Sequence, residues 1–331
     1  MNFSEAVDAL LQARAILCSC HQRPDADALG SALAIARALK HLAKDASVYI
    51  PDPLNPALAF LPHPDEIQRA LPTERDFDLV VVTDTAARSL LPEGLPKGVP
   101  QLIIDHHLIH DDFGEIVLRD TEAASTGEIV LGLLDRVFDA HLEVRSAAPA
   151  AWLTQDIAEP IYAAIVADTG GFRYAGTKPE TLRAGARLLE AGVDPARVSE
   201  HLFERWPLGR FRLLAALLDR MELLYGGRVA YFEVPRALLE AKGADDDMLD
   251  GLINYGRMLD GVQLAILLWE FETGERLDVK LSLRSRAEID SAALAATLGG
   301  GGHRYAAGAR VRGTLTEVRA RVMSELEEVF R

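Results

Sequence analysis

Side chains able to bind a divalent cation stand in four short blocks of this sequence: His21, Asp25 and Asp27 in HQRPDAD, Asp84 in VVVTDT, Asp105, His106 and His107 in LIIDHH, and Asp168 in IVADTGG. No cysteine lies among them, and a set of imidazoles and carboxylates suits a hard or borderline ion such as Mn²⁺ better than a structural zinc. His21, Asp25 and Asp27 fall at i, i+4 and i+6 between an apolar run and a helical one, so a single loop can turn all three toward one point. Pro24 is expected to hold the residue before it extended, off the helical path. A lone HxxxDxD is as often a solvated loop as a ligand set. Three further blocks, each closing an apolar run, make the solvated loop the weaker reading.

Two cations roughly 3.5–4 Å apart would activate water and cancel charge on a phosphoryl group, and such a pair needs a bridging carboxylate. Asp84 is the candidate bridge, with His21 and Asp25 on one ion and Asp27, His106 and Asp168 on the other. Asp105, beside His106, is expected to orient an imidazole and fix its tautomer. His107 is then left to face the substrate as a general acid toward the leaving oxygen.

The elements that must position these groups are legible in the hydrophobic pattern. AILCSC at 15–20, LVVVT at 79–83 and QLII at 101–104 predict short buried strands, with another near 47–50. Helices are expected over 28–42, 125–138, 156–167 and 179–191, with Gly192 as a stop signal and Pro195 after it. The alternation predicts an α/β fold with a doubly wound, mainly parallel sheet, and the cation blocks fall just past strand ends, where open parallel sheets bind ligands. Residues 1–192 are expected to form this catalytic domain and 193–225 a helical linker. Residues 226–331 are expected to form a smaller α+β domain, with the active site in the interdomain cleft. In that smaller domain VQLAILLWEF and RLDVKLSLRS predict two strands joined by the turn ETGE. Leu277, Val279, Leu281 and Leu283 alternate there with Asp278, Lys280, Ser282 and Arg284, the pattern of a strand with one wet face. A helix from Ser291, the tract LGGGGHRYAAG and a helix over 314–330 complete the chain.

At 331 residues there is room for two cores. The net charge of −15 is the wrong sign for gripping long nucleic acid by its phosphates. With 14 Lys/Arg and 17 Asp/Glu after residue 225, most of the excess lies upstream with the cation blocks. No apolar run is long enough to suggest a membrane span, so a cytoplasmic protein with no membrane partner and no long duplex partner is expected. Cys18 and Cys20, two apart on a predicted strand, point to one face and read as buried thiols.

Taken together, HQRPDADALGS, Asp84, the DHH triplet and Asp168, followed far downstream by GGGGHRYAAG, resemble the DHH superfamily of phosphoesterases with its DHH-associated C-terminal domain, in particular the nanoRNase/pAp-phosphatase branch. The resemblance spans nearly the whole chain. It implies a Mn²⁺-dependent hydrolase with two ions per site, Mg²⁺ or Co²⁺ being possible substitutes. Such an enzyme releases nucleoside monophosphates from very short RNA or from linear dinucleotides such as pGpG, with 3′-phosphatase activity on pAp. It also implies that Gly300, Gly301, Gly302 and His303 hold the substrate, with Arg284 at the position of a substrate-binding arginine. Consecutive glycines admit phosphate oxygens to backbone amides, and an arginine can clamp phosphate bidentately. Arg257 and Ser125 are further candidate contacts, with packing and helix capping as equal alternatives. A RecJ-like exonuclease, a cyclic-dinucleotide phosphodiesterase, a pyrophosphatase or polyphosphatase, and a non-catalytic nucleotide-binding regulator are the rival readings. Homodimerisation is left open.

Overall fold

Short apolar runs, Ala15–Cys20 (β1), Asp45–Tyr49 (β2), Ile67–Gln68 (β3), Leu79–Thr83 (β4), Gln101–Asp105 (β5) and Ile116–Arg119 (β6), form one six-stranded sheet in the order β3-β2-β1-β4-β5-β6. All of its pairings are parallel. A computed structural model describes residues 3–71, 76–108, 110–145, 152–273, 276–286 and 289–330. The chain divides into two compact units, Met1–Arg205 and Trp206–Arg331. Among the described residues no helix is long and apolar enough to cross a membrane.

Helices Phe3–Gln12 (α1), Ala26–His41 (α2) and Thr126–Arg145 (α3) pack on one face of this sheet, where Ile16, Cys18, Cys20, Val48, Val81 and Ile104 are buried, and Gln155–Asp168 (α4) lies against α2 and α3. Both cysteines are free thiols, and burial pushes that of Cys18 up to about 12. The other face, with Leu17, Val80, Val82 and Ile103, is closed by loop residues including Phe77 and Phe113. The strand order is that of a doubly wound sheet, but among the described residues between β2 and β6 the crossovers carry no α-helix. Their proline- and glycine-rich sequences, such as PDPLNPALAFLPHPD and PEGLPKGVP, cannot sustain one.

Two of these helices carry cation-binding candidates at their ends, and their crossing fixes where those ends lie. Gly30 of α2 sits against the Pro160 carbonyl of α4, which a Cβ would approach to 2.3 Å. Pro160 has no N–H for the Asp156 carbonyl one turn back, and Arg37 of α2 donates Nη1 to that oxygen at 2.7 Å. Glu66 takes Nε and Nη2 of the same guanidinium at 2.9 and 2.6 Å.

Pro179–Glu190 (α5) ends before Gly192, whose φ is +97°. Pro195 begins the short helix Pro195–Ser199 (α6), and a wide turn over Glu200–Glu204 follows. In the second unit Leu208–Asp219 (α7) is shorter than the expected helix, because 222–224 leave it to form an edge strand, Glu222–Leu224 (β7). Val229–Val234 (β8), Arg236–Lys242 (α8), Ile253–Arg257 (α9), Leu264–Thr273 (β9) and Arg276–Ser285 (β10) follow. Ser291–Thr297 (α10), Gly301–His303 (β11), Ala306–Val311 (β12) and Leu315–Val329 (α11) complete the unit. Its sheet runs β11-β12-β10-β9-β8-β7, antiparallel except between β8 and β9. Two positions of the expected ETGE turn, 274 and 275, lie outside the described residues.

The face of β10 expected to be wet is largely covered. Asp278 is buried and Lys280, Ser282 and Arg284 are half-buried, because α9 packs over β9 and β10 and the Lys280 ammonium lies 5.5 Å from the Trp269 ring. The glycine tract, read as a loop, forms the edge hairpin β11–β12, in which Gly301 pairs with Gly308 and Gly302 with Ala307.

Candidate active site

The strand order of the first sheet reverses between β1 and β4, and parallel sheets bind ligands outside the carboxyl ends of their strands at such a point. Cys20 and Thr83 are paired there, so His21 and Asp84 leave the sheet side by side. Asp84 adopts φ +52°, a left-handed conformation that Asp tolerates better than most residues, while its N–H still bonds the Ile104 carbonyl at 2.8 Å. Thr83 pairs with Ile104, which brings Asp105, His106 and His107 alongside.

The residue before Pro24 is not extended as expected: Arg23 is left-handed, at φ +50°. Asp25 is the N-cap of α2, its Oδ1 accepting from Ala28 N at 3.0 Å, so its rotamer is set by the helix it begins. Asp27, in the first turn, is fully buried. Asp168 is the last residue of α4.

Six candidate ligands gather about Asp84. His21 Nε2 lies 3.9 Å from Asp25 Oδ1 and 3.7 Å from Asp84 Oδ2. His106 Nε2 lies 3.8 Å from Asp27, 3.6 Å from Asp84 Oδ1 and 3.2 Å from Asp168. Three donor trios fall within 4.8 Å: His21, Asp25 and Asp84; Asp27, His106 and Asp168; and Asp84, His106 and His107. Most of these gaps are longer than a hydrogen bond but span the separation of two ligands on one ion bonded at about 2.0–2.2 Å. The donor set and its spacing fit divalent cations, with Asp84 common to two trios.

The charges are mutually dependent. Burial disfavours the His21 and His106 imidazolium forms, but the nearby Asp84 and Asp168 carboxylates, with Asp25 and Asp27 around them, outweigh it, raising them to about 9 and about 10. Burial, with the Asp84 and Asp168 charges, pushes Asp27 well above the ordinary carboxylate range. Burial also acts to raise Asp84, yet the adjacent His21, His107 and His106 imidazoles hold it low. So many acids around one point are an unfavourable apo arrangement that a bound cation would relieve.

Asp105 orients an imidazole, and the ring is that of His107, whose Nδ1 donates to Asp105 Oδ1 at 2.8 Å. His107 Nδ1 is also 3.6 Å from Asp84. Despite complete burial, Asp105 is held down to about 2 by His107 and by Arg119, whose Nε donates to Oδ2 at 3.0 Å.

Two devices here were not foreseen. The first-turn amides of Thr126 and Gly127 donate to Asp27 Oδ2 and Oδ1 at 2.7 and 2.8 Å, so the N-terminus of α3 holds a candidate ligand. Thr126 Oγ1 donates to Asp84 Oδ1 at 3.0 Å. The STGE sequence signals a helix start and hence an anion-binding end. That the anion is the chain's own Asp27, 99 positions away from Thr126, has no local signal. Ser125 is fully buried, its Oγ accepting from Glu128 N at 3.2 Å as a cap of α3. Arg119 is the second device.

In the second unit, Arg284 lies on β10 and donates Nη1 to the Leu283 carbonyl at 3.0 Å, and Arg257 ends α9. Gly300 and Gly302 lie where a Cβ would meet β12 at 2.1 and 2.6 Å, whereas at Gly301 the space is open. His303 is the last residue of β11; its side chain lies outside the described residues.

A family model described as the DHH family N-terminal domain matches residues 15–165, and one for the DHHA1 domain matches 226–331. The chain is 34% identical over 316 residues to a bifunctional oligoribonuclease and PAP phosphatase NrnA of Thermus thermophilus, covering 95% of this chain and 89% of that one. Its identity to the Bacillus subtilis protein of the same description is 27% over 298 residues, 89% of each chain. Among solved structures, an exopolyphosphatase-related protein from Bacteroides fragilis superposes with a TM-score of 0.85 at 24% identity, covering 99% of this chain and 96% of that one. RecJ of Thermus thermophilus in complex with Mn²⁺ gives 0.57 at 17%, covering 99% and 54%. At these identities the two structures speak for the fold.

Proposed function

Since the chain belongs to the DHH family and carries a DHHA1 domain in its C-terminal unit, we propose that it is a phosphodiesterase that hydrolyses very short RNA and linear dinucleotides to nucleoside monophosphates and removes the 3′-phosphate of pAp. The observation that carries this reading is the gathering of six ligand candidates from four separated blocks around Asp84, in a chain 34% identical to an oligoribonuclease and PAP phosphatase.

His21, Asp25 and Asp84 would hold one Mn²⁺ ion, and Asp27, His106 and Asp168, with Asp84 shared, a second; Mg²⁺ or Co²⁺ would substitute. When bound, such a pair supplies positive charge at the phosphoryl group and acidifies water. The chain's own residues do the rest. Asp105 accepts the hydrogen bond from His107 Nδ1 and favours the doubly protonated ring, whose Nε2–H would then face the leaving oxygen as a general acid. Arg284, the amides of Gly300, Gly301 and Gly302, and His303 are the proposed phosphate contacts, with Arg257 and Ser125 as lesser ones. The acidic surface favours short substrates over long polyanions. A cytoplasmic location completes the proposal.

Chromatographic product analysis on pAp, pGpG, cyclic di-AMP, pyrophosphate, 5′-labelled RNA trimers and a 30-mer, with Mn²⁺ and with chelator, tests it. Mononucleotide release from pAp, pGpG and the trimers, lost with chelator and far slower on the 30-mer, is the expected result. Equal rates on trimer and 30-mer, or phosphate release from pyrophosphate alone, would overturn it.

A further inference from the structure

We propose that Arg119 is a positioning residue for His107, acting through Asp105; the inference rests on the hydrolytic reading above. Arg119 Nε donates to Asp105 Oδ2 at 3.0 Å, and Asp105 Oδ1 accepts from His107 Nδ1 at 2.8 Å and from its backbone N–H at 3.3 Å. Each carboxylate oxygen therefore has its own donor, and the carboxylate is fixed in plane as well as in place. β5 and β6 pair with Asp105 opposite Arg119, so the two side chains leave the same side of the sheet, away from buried Leu118.

The company Arg119 keeps separates this role from scaffolding. Arg37, which ties two helices together, donates to Glu66, to the Asp156 carbonyl and to the Leu61 carbonyl. Arg119 is nearly as enclosed, at 12% exposure, yet among the described residues Asp105 is its hydrogen-bond partner and its Nη2 is buried with none. Burying a guanidinium nitrogen unpaired is unfavourable, and such groups persist where a specific arrangement needs them. Here the arrangement is the second oxygen of a fully buried aspartate whose first oxygen sets the orientation of a catalytic imidazole. Without Arg119, that oxygen has no donor in place. The carboxylate is then free to rotate about its Cβ–Cγ bond, and the His107 ring loses its single orientation.

The test combines Arg119→Met and Arg119→Lys with ¹⁵N-histidine NMR of the full chain and steady-state kinetics on pAp. The wild type is expected to show a single His107 population with Nδ1 protonated toward Asp105. Arg119→Met should give a mixed population at His107 and a kcat lower by about 10–100-fold. KM and Mn²⁺ content should stay within about twofold, since neither substrate nor cation is touched directly. Arg119→Lys, which keeps a cationic donor, should recover most of the loss. An unchanged His107 spectrum and kcat in Arg119→Met would overturn the proposal. So would a loss that follows a fallen melting temperature and is equal in Arg119→Lys. Should Arg119→Met fail to fold, Arg119→Gln, a neutral donor, faces the same two readouts. A wild type inert on every phosphoester would sink the hydrolytic reading, whereas the histidine spectrum would still decide the relay.

Discussion

The candidate site of the first unit is held by polar groups, whereas the glycine hairpin of the second is held by backbone packing. Asp27 is gripped by two helix amides, Asp84 by the Thr126 hydroxyl, and Asp105 by Arg119 and His107. Gly300 and Gly302, by contrast, sit where a side chain would collide with β12. A carboxylate buried among other carboxylates has no reason in stability to be there, so its presence argues for a ligand. A glycine that the hairpin itself requires is explained before any ligand is invoked. Dense motifs in the two units thus carry unequal weight.

The sharpest way to break that contrast is at Asp84. Asp84→Ala removes the carboxylate common to two donor trios, and the Mn²⁺-dependent rate on pAp should fall well beyond the roughly 10–100-fold typical of an outer-layer residue. Asp84→Asn should fold more readily than Ala, since Asn tolerates the φ of +52° found there. Calorimetric Mn²⁺ titration should lose at least one ion in both. Near-normal turnover with full cation uptake in either would remove Asp84 from the proposed bridge.

A smaller effect concerns pH and separates the units by chemistry. In the metal-free protein the His21 and His106 values are raised from 6.5 to about 9 and about 10. Their contribution to stability is fully present below about pH 6.5 and is lost as pH rises through those folded values. The raised Asp27 carboxyl acts with the same sign. With chelator present, the melting temperature of the N-terminal unit should therefore decline from pH 6.5 to 10. Mn²⁺ must displace those protons, so the gain in melting temperature on adding it should widen as pH rises. A gain that shrinks with rising pH, or a transition indifferent to both, would mean that this cluster is not the cation site.

Some of this was legible in sequence and some was not, for reasons particular residues make clear. β1 and β4 begin and end where their apolar runs do, because strands covered on both faces read as continuous hydrophobic stretches. β5 extends one residue past its apolar run, since Asp105 stays paired with Arg119 although its side chain is charged. β3, β6 and β7 are edge strands of two to four residues, defined by the neighbour they pair with rather than by a period of their own. α2 starts two residues before the expected position because its cap, Asp25, is also a member of the cation motif. The ligand candidates could be named because chemistry restricts their residue types. The groups that hold them could not: backbone amides like those on Asp27 come from any residue, and nothing in the sequence pairs the Thr126 hydroxyl with Asp84 or Arg119 with Asp105.

The glycine run allows the least drastic test and the one that most sharpens the contrast. An alanine at Gly300 would bring its Cβ to 2.1 Å from the Gly308 carbonyl oxygen, and at Gly302 to 2.6 Å from that of Ala306, at a φ of +140°. Each should cost about 1–3 kcal/mol of stability in the second unit. Gly301 differs from both: a Cβ there meets nothing within 4 Å, and its φ lies outside the left-handed region. Gly301→Ala should leave the melting temperature unchanged or raise it slightly, the unfolded chain losing about 0.4–1 kcal/mol of freedom. If the run's amides meet phosphate, that methyl stands in the way, and KM for pAp should rise about tenfold, equivalent to roughly 1.4 kcal/mol. An unmoved KM in a stable Gly301→Ala would leave the hairpin's own packing as the whole reason for the glycines and move the search for the phosphate contacts to Arg284 and its neighbours on β10.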